Sequence, residues 1–418
     1  MLNWANQFSI LLFLDSNNYE SAHGTYECLV ATEAVEMVSC PADFAQQTGT
    51  TDFLSQLQHL HDSRKDWIFG HISYDYKNLL EPKLVSSHSE KNGFPLLHFF
   101  VPRTVCYINK EQTILTIETL DDPGNVYQDI CAAELLNSDR QVPKLQFTEV
   151  IDKESYLSTI SKLRQHIADG DCYEITFCNK GYCEDANVLP VNVFKALSAL
   201  SPAPFAAYYR LNEQYMMCAS PERYLRKESN KILSQPIKGT APRHTDRAKD
   251  AQIKETLRND IKERAENVMI VDLVRNDLAR CCEVGSIQVE ELFGIYSFPQ
   301  VHQMISTISG QLKADVPFTD ALRYSFPMGS MTGAPKYKVM QLIDEYEQAG
   351  RGLFSGTAGY ISPGGDFDFN VIIRSIFYNE ASNYLWYQAG GAITYDSNAE
   401  REWEEMQLKA WALQRILS

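Results

Sequence analysis

Two stretches of the chain pair glutamates at a spacing of three. Glu263 and Glu266 precede an apolar run at 268–273, and Glu402 and Glu405 are followed one turn on by Lys409. Residues three or four apart share a helix face, so each stretch, as a helix, can aim two carboxylates at one point. If the two helices meet, four carboxylates converge, which is costly without a cation. Oxygen-only ligation suits Mg²⁺, which keeps several waters and takes one or two direct carboxylates. Taken singly, either pair reads first as an acidic solvated face, and Glu405 with Lys409 is open to reading as a plain i, i+4 ion pair. A metal site requires something that ties the helices together.

Three glycine segments put bare backbone where something must approach closely. They are Pro236-Ile237-Lys238-Gly239-Thr240, the run GSMTGAPK at 329–336, and Ala389-Gly390-Gly391-Ala392. The second leads into a predicted helix with Pro335 placed for its first turn, and a helix N-terminus can receive a carboxylate or phosphate. It is no phosphate-binding P-loop, because Lys336 does not follow Gly333 directly and no Ser or Thr follows Lys336.

The elements that must position these residues come from a chain of 418 residues, enough for one large domain or two ordinary ones. A hydrophobic content of 44% and an aromatic content of 11% supply a large core. The formal charge of −16 argues against nucleic acid or anionic lipid as a partner. An anionic substrate must then be met by local cations, backbone N–H groups or a metal. The ten cysteines show no repeated C-x-x-C and read as reduced thiols of a cytoplasmic protein. The apolar run at 8–14 has no basic residues before it and reads as a buried strand, not a signal peptide. No stretch reaches the length that spans a bilayer.

The polar segment NSDRQVPK at 137–144 marks a seam between an N-terminal region, 1–145, and a larger region, 146–418. Predicted strands lie at 8–14, 67–73, 96–101 and 105–108 before the seam, and at 173–178, 205–209, 371–378 and 384–388 after it. Predicted helices lie between an Asp152 N-cap and Gly170, at 247–267, at 336–347 and at 400–417. The order is no regular alternation. It predicts an α+β fold with large, mostly antiparallel sheets packed as layers, helices outside, and the N-terminal region adding strands to the shared core.

Seven stretches together resemble the chorismate-binding enzyme family: SPERYL (220–225), PIKGTAPR (236–243), ERAENVMIVDLVRNDLAR (263–280), FPMGSMTGAPK (326–336), RGLFSGTAGYIS (351–362), FNVIIRS (369–375) and DSNAEREWEEMQLKA (396–410). They occur in the family's order. The N-terminal third matches only through GHISYDYKN (70–78) and FPLLHFFVPRTV (94–105). The resemblance implies that both acidic helices serve one Mg²⁺, with Glu266 and Glu405 as direct ligands and Glu263 and Glu402 acting through water. It places chorismate against Arg374, Lys409 and the Gly390-Gly391 backbone, with Gly239, Thr240, His302 and Thr332 also in the pocket. Without that context, His302 reads as a structural histidine and Arg374 as a surface ion pair.

Within the family, Lys238 discriminates. Anthranilate synthases typically carry alanine there, and the lysine form resembles the aminodeoxychorismate synthases, where it is the proposed nucleophile. Glu222 holds the family's general-acid position. The resemblance implies amination of chorismate at C4, with ammonia from a separate glutamine amidotransferase and a separate lyase to complete 4-aminobenzoate for folate. Glu174 stands where hydroxylating relatives have lysine and aminating ones usually glutamine. Phe354 replaces a frequent tyrosine, and Ala392 a frequent glycine. The alternatives are an anthranilate synthase component I, an isochorismate-type enzyme, and a catalytically silent tryptophan-binding paralogue, the last suggested by Phe13-Leu14-Asp15-Ser16.

Overall fold

The computed structural model describes residues 1–19, 22–44, 51–84, 86, 88, 93–134 and 144–417. The seam predicted at 137–144 lies outside these residues except for Lys144. Every strand pairing among them is antiparallel. The long strand Leu97–Asn109 is the branch point. From it one run of neighbours leads through Tyr26–Cys40, Ile10–Asp15, Phe205–Leu211, Gln214–Ser220, Ser375–Asn379 and Tyr384–Ile393 to Glu174–Cys183. The other leads through Ile68–Ile72, Thr357–Ile361, Phe367–Asn370, Arg223–Glu228 and Lys231–Gln235 to Val301–Gln311, which also pairs with Ile237–Pro242 and Gln288–Ser297.

Alternation along the strands separates two cores. Leu12 and Ala31 face one, with Phe99, Phe369 and Met216, while Leu11, Phe13 and Val30 face the other. The second core is closed by helices: Tyr156, Ile160 and Leu163 from Lys153–Ala168, and Met406, Ala410 and Leu413 from Ala399–Gln414. The helix Ile261–Ala279 seals the first through Ile270, Val271, Val274 and Leu278. This is the α+β layering expected of the sequence, with helices outside large antiparallel sheets.

Two segments differ from expectation in ways that shape the site. The predicted helix at 247–267 is two helices, Arg247–Asn259 and Ile261–Ala279. The break falls at Asp260, whose side chain caps the second helix by accepting from Glu263 N at 3.0 Å, the usual role of Asp at an N-cap. The predicted strand at 371–378 begins only at Ser375, and Arg374 just before it has φ +51°. Asp152 caps its helix as expected, accepting from Ser155 N at 2.8 Å.

Candidate active site

The segments singled out in the sequence converge at the ends of Glu174–Cys183, Ile237–Pro242 and Tyr384–Ile393, where a cavity of about 150 Å³ opens. Glu222, Thr240, Arg374, Gly390, Gly391 and Lys409 line it, with Ser330, Gln303, Gln388 and Phe354. Gly390 is bare because a Cβ there would meet Phe177 O at 2.1 Å across the ladder. Gly391 is bare toward the last helix, where a Cβ would sit 3.4 Å from Glu402 Oε2 and 3.7 Å from Glu405 Oε1. Gly239, at φ +97°, makes the equivalent approach to Glu263 Oε2, at 3.1 Å. Two bare backbone positions therefore face the acids of both helices.

Lys238 does not line the cavity. It is buried, and its ammonium is bonded to Glu174, itself fully buried. Burial works against the charge on Lys238, but Glu174, Glu266 and Glu222 together outweigh it and hold its pKa above the ordinary value. The carboxylate that the sequence left unexplained is thus the partner of the candidate nucleophile. Glu222 is buried with its Oε1 accepting from Ser330 Oγ at 2.6 Å. Burial raises its pKa to about 7, against the pull of Ser330, Lys238 and Arg374. Arg374 is pushed down by burial, partly offset by Glu222.

Of the four acids, Glu266 and Glu402 are buried, Glu263 is partly buried and Glu405 is half-exposed. Burial raises Glu266 to about 7 and also raises Glu263 and Glu402, whereas Lys409 lowers Glu405 through a 2.8 Å ion pair. Glu405 adds to the rise at Glu263, so charge couples the two helices. Glu266 Oε1 is buried without a hydrogen-bond partner. Among the described residues, no three His, Cys, Asp or Glu side chains stand close enough to enclose a metal. An orphaned carboxylate oxygen in a set of coupled acids still fits Mg²⁺, which needs few direct ligands.

This coupling has a measurable consequence without metal. A free glutamate titrates near 4.5, and Glu266 at about 7 when folded. Between those values the native state holds the extra proton, so this group's contribution is full below the lower value and is lost as pH rises through the upper one. The loss is about 3 kcal/mol. Metal-free Glu266→Gln should therefore lose less stability than the parent chain between pH 5 and pH 8 in denaturant titrations. Equal losses would rule out a strained Glu266.

Three expected pocket residues are not among those that line the cavity: Gly239, which faces Glu263, His302 and Thr332. His302 is buried in its strand with Nδ1 bonded to Ser297 Oγ at 2.8 Å and Nε2 to Asp250 Oδ1 at 3.0 Å. Alternate strand residues face opposite ways, and the neighbouring Gln303 faces the cavity instead. Thr332 spends its hydroxyl on its own turn, donating to Met328 O at 3.1 Å. The helix Lys336–Tyr346 starts one residue after Pro335, and its N-terminus is not among the cavity-lining residues. Gly333 serves packing, since a Cβ would strike Glu174 O at 2.1 Å.

Ser330, Gln303 and Gln388 also line the cavity, and no motif in the sequence singles them out. The two amides are buried with free Oε1 atoms at the cavity. Arg351, equally unmarked in the sequence, is fully buried. Arg351 donates to Met331 O at 2.6 Å and Thr176 O at 2.9 Å, both from cavity-lining residues. The Phe13–Ser16 stretch is at a different place: Asp15 and Ser16 help line a separate cavity of about 80 Å³ with Tyr26, Arg223 and Asp368. No helix among the described residues is long and apolar enough to cross a membrane.

The sequence profile of the chorismate binding enzymes matches residues 12–415. An aminodeoxychorismate synthase of Streptomyces griseus is 41% identical over 267 residues, 64% of this chain and 36% of that protein. Aminodeoxychorismate synthase component 1 of Escherichia coli is 36% identical over 276 residues, 65% of this chain and 60% of the relative. The chain therefore spans well under two thirds of these relatives. Anthranilate synthase component I of Streptococcus pneumoniae superposes with a TM-score of 0.82 at 25% identity, over 95% of this chain and 94% of its own. With a match that runs nearly end to end and a cavity built from the matching segments, the chain belongs to the chorismate binding enzyme family.

Proposed function

We propose that this chain aminates chorismate at C4, giving 4-amino-4-deoxychorismate, with ammonia supplied by a separate glutamine amidotransferase. The observation that carries this reading is Lys238, buried on Glu174 and held charged by Glu266 and Glu222 as well. Relatives named aminodeoxychorismate synthase support it, and the designation component 1 of the Escherichia coli relative is consistent with a second subunit. Chorismate carries two carboxylates, and Arg374, Lys409 and the Gly390-Gly391 backbone are the groups available to receive them.

In this reading Lys238 Nζ passes a proton to Glu174 and attacks C2. The 4-hydroxyl departs as water with a proton from Glu222, and the ring double bonds shift. Ammonia then adds at C4, the double bonds shift back, and Lys238 leaves with its proton restored. Glu222 suits the acid role because burial keeps part of it protonated near neutral pH. Glu266 and Glu405 would hold Mg²⁺ directly, with Glu263 and Glu402 acting through water. The ion would offset the charge of a substrate carboxylate. The product would feed 4-aminobenzoate and folate formation in the cytoplasm.

The test is the product formed from chorismate with Mg²⁺ and high ammonium. The expected product is 4-amino-4-deoxychorismate with the enolpyruvyl group retained. Anthranilate with pyruvate, or isochorismate, would refute the assignment within the family. Ser330→Ala adds a check on the acid. Ser330 donates to the charged form of Glu222, so its loss raises the carboxyl's pKa. The inflection of kcat/KM near pH 7 should move up by about one pH unit, the scale of a hydrogen bond to a charged group. An unmoved inflection would assign it to another group.

A further inference from the structure

The first turn of the helix Ile261–Ala279 carries a lysine beside the acids. Lys262 Nζ stands 3.6 Å from Glu266 Oε1, the buried oxygen that lacks a hydrogen-bond partner. That separation is too long for a hydrogen bond, so the contact is one of charge. Burial works against the charge on Lys262, but Glu266, Glu402, Glu263 and Glu405 all favour it. The ammonium touches Glu266, and the charge of the other three acids also favours it.

The lysines around the acids are not equivalent. Lys238 is buried and bonded to Glu174. Lys409 is held from two sides, by Glu405 Oε1 and by Gly390 O, each at 2.8 Å. Lys262 makes no hydrogen bond among the described residues, and its side chain is 47% exposed while that of Glu266 is 8% exposed. Of the three, it alone can leave the acids without breaking a hydrogen bond.

We propose that Lys262 is an internal cation that covers the carboxylate cluster when no divalent ion is bound and swings into solvent when one binds. The proposal rests on the reading of Glu266, Glu405, Glu263 and Glu402 as a cation site. A lysine has a compact charge on a flexible stem, so it can cover the acids from the helix and withdraw along it. Glu266 Oε1 can face the ammonium or a divalent ion, but two cations that close repel each other. Lys262 is itself half-exposed and its contact with Glu266 carries no hydrogen bond, so its withdrawal into solvent costs little. The lysine thus makes the acids tolerable in the metal-free chain and holds metal affinity below what the carboxylates alone would give.

Two measurements on the whole chain test this. In a brief acetic anhydride pulse at fixed pH, read by mass spectrometry, Lys262 acetylation should rise severalfold on saturation with Mg²⁺. Lys249, exposed and remote from the acids in sequence, should stay constant. In calorimetric titration with Mg²⁺, Lys262→Met should bind about fivefold tighter, the scale for removal of one competing ion pair that lacks a hydrogen bond. If Mg²⁺ binds and Glu266→Gln abolishes that binding, but both lysine readouts stay flat, the role of Lys262 is overturned by itself. If Glu266→Gln leaves Mg²⁺ binding intact, the cation site falls, and the role of Lys262 falls with it.

Discussion

Lys238→Ala should lower 4-amino-4-deoxychorismate formation by at least about three orders of magnitude, the scale expected when a nucleophile or a positioned proton-transfer group is removed. The difficulty is to separate chemistry from folding. Glu174 is fully buried, Lys238 is its only ion-pair partner among the described residues, and its Oε2 already lacks a hydrogen bond. Removing Lys238 alone leaves a buried carboxylate uncompensated, which costs about 3–5 kcal/mol. Lys238→Met combined with Glu174→Gln removes both charges at once and should restore most of that stability. The double variant should melt near the parent chain and still lack activity. If it aminates chorismate within about tenfold of the parent, Lys238 is not the nucleophile. Glu174→Gln alone removes the group that holds the proton on Lys238. The alkaline titration of Lys238, followed by its acylation rate, should then move to lower pH.

The fold and much of the site were legible because they depend on local pattern. Short apolar runs at 8–14, 67–73 and 205–209 marked strands that do pair antiparallel. The spacing of Glu263 with Glu266 and of Glu402 with Glu405 put each pair on one helix, since that needs only 3.6-residue periodicity. What was not legible depends on partners distant in sequence. The pairing of Lys238 with Glu174 spans 64 residues, and nothing in either segment announces it. The choice between His302 and Gln303 depends on strand phase, which a one-residue slip inverts. Asp260 carried a usable signal, an N-cap residue three before Glu263, but helical residues on both sides masked it. Arg351 lies in RGLFSGTAGYIS, a segment that carried the resemblance without disclosing the arginine's role.

Arg351→Met should destabilise the fold strongly, costing about 3–5 kcal/mol. Its guanidinium places every donor: Nε and Nη2 on Glu347 at 2.9 and 2.6 Å, Nη2 also on Thr176 O at 2.9 Å, and Nη1 on Met331 O at 2.6 Å and Ser355 Oγ at 3.3 Å. Its Cζ lies over the Tyr74 ring, 4.6 Å from the ring centroid. Glu347 in turn accepts from Cys178 N at 2.8 Å. One buried ion pair thus fastens Lys336–Tyr346 and the 329–331 turn to the strand Glu174–Cys183, the strand that carries the partner of Lys238. Lysine cannot substitute, because one ammonium cannot reach acceptors spread around a planar fork. Pairing Arg351→Met with Glu347→Gln removes the uncompensated carboxylate and should recover much of the stability. It cannot restore the anchors on Met331 O and Thr176 O, both in cavity-lining residues. The double variant should therefore unfold in denaturant close to the parent chain while kcat/KM for chorismate remains down by about 10²-fold, as expected for displaced positioning groups. Recovery of activity together with stability would show that Arg351 supports the fold and does not position the site.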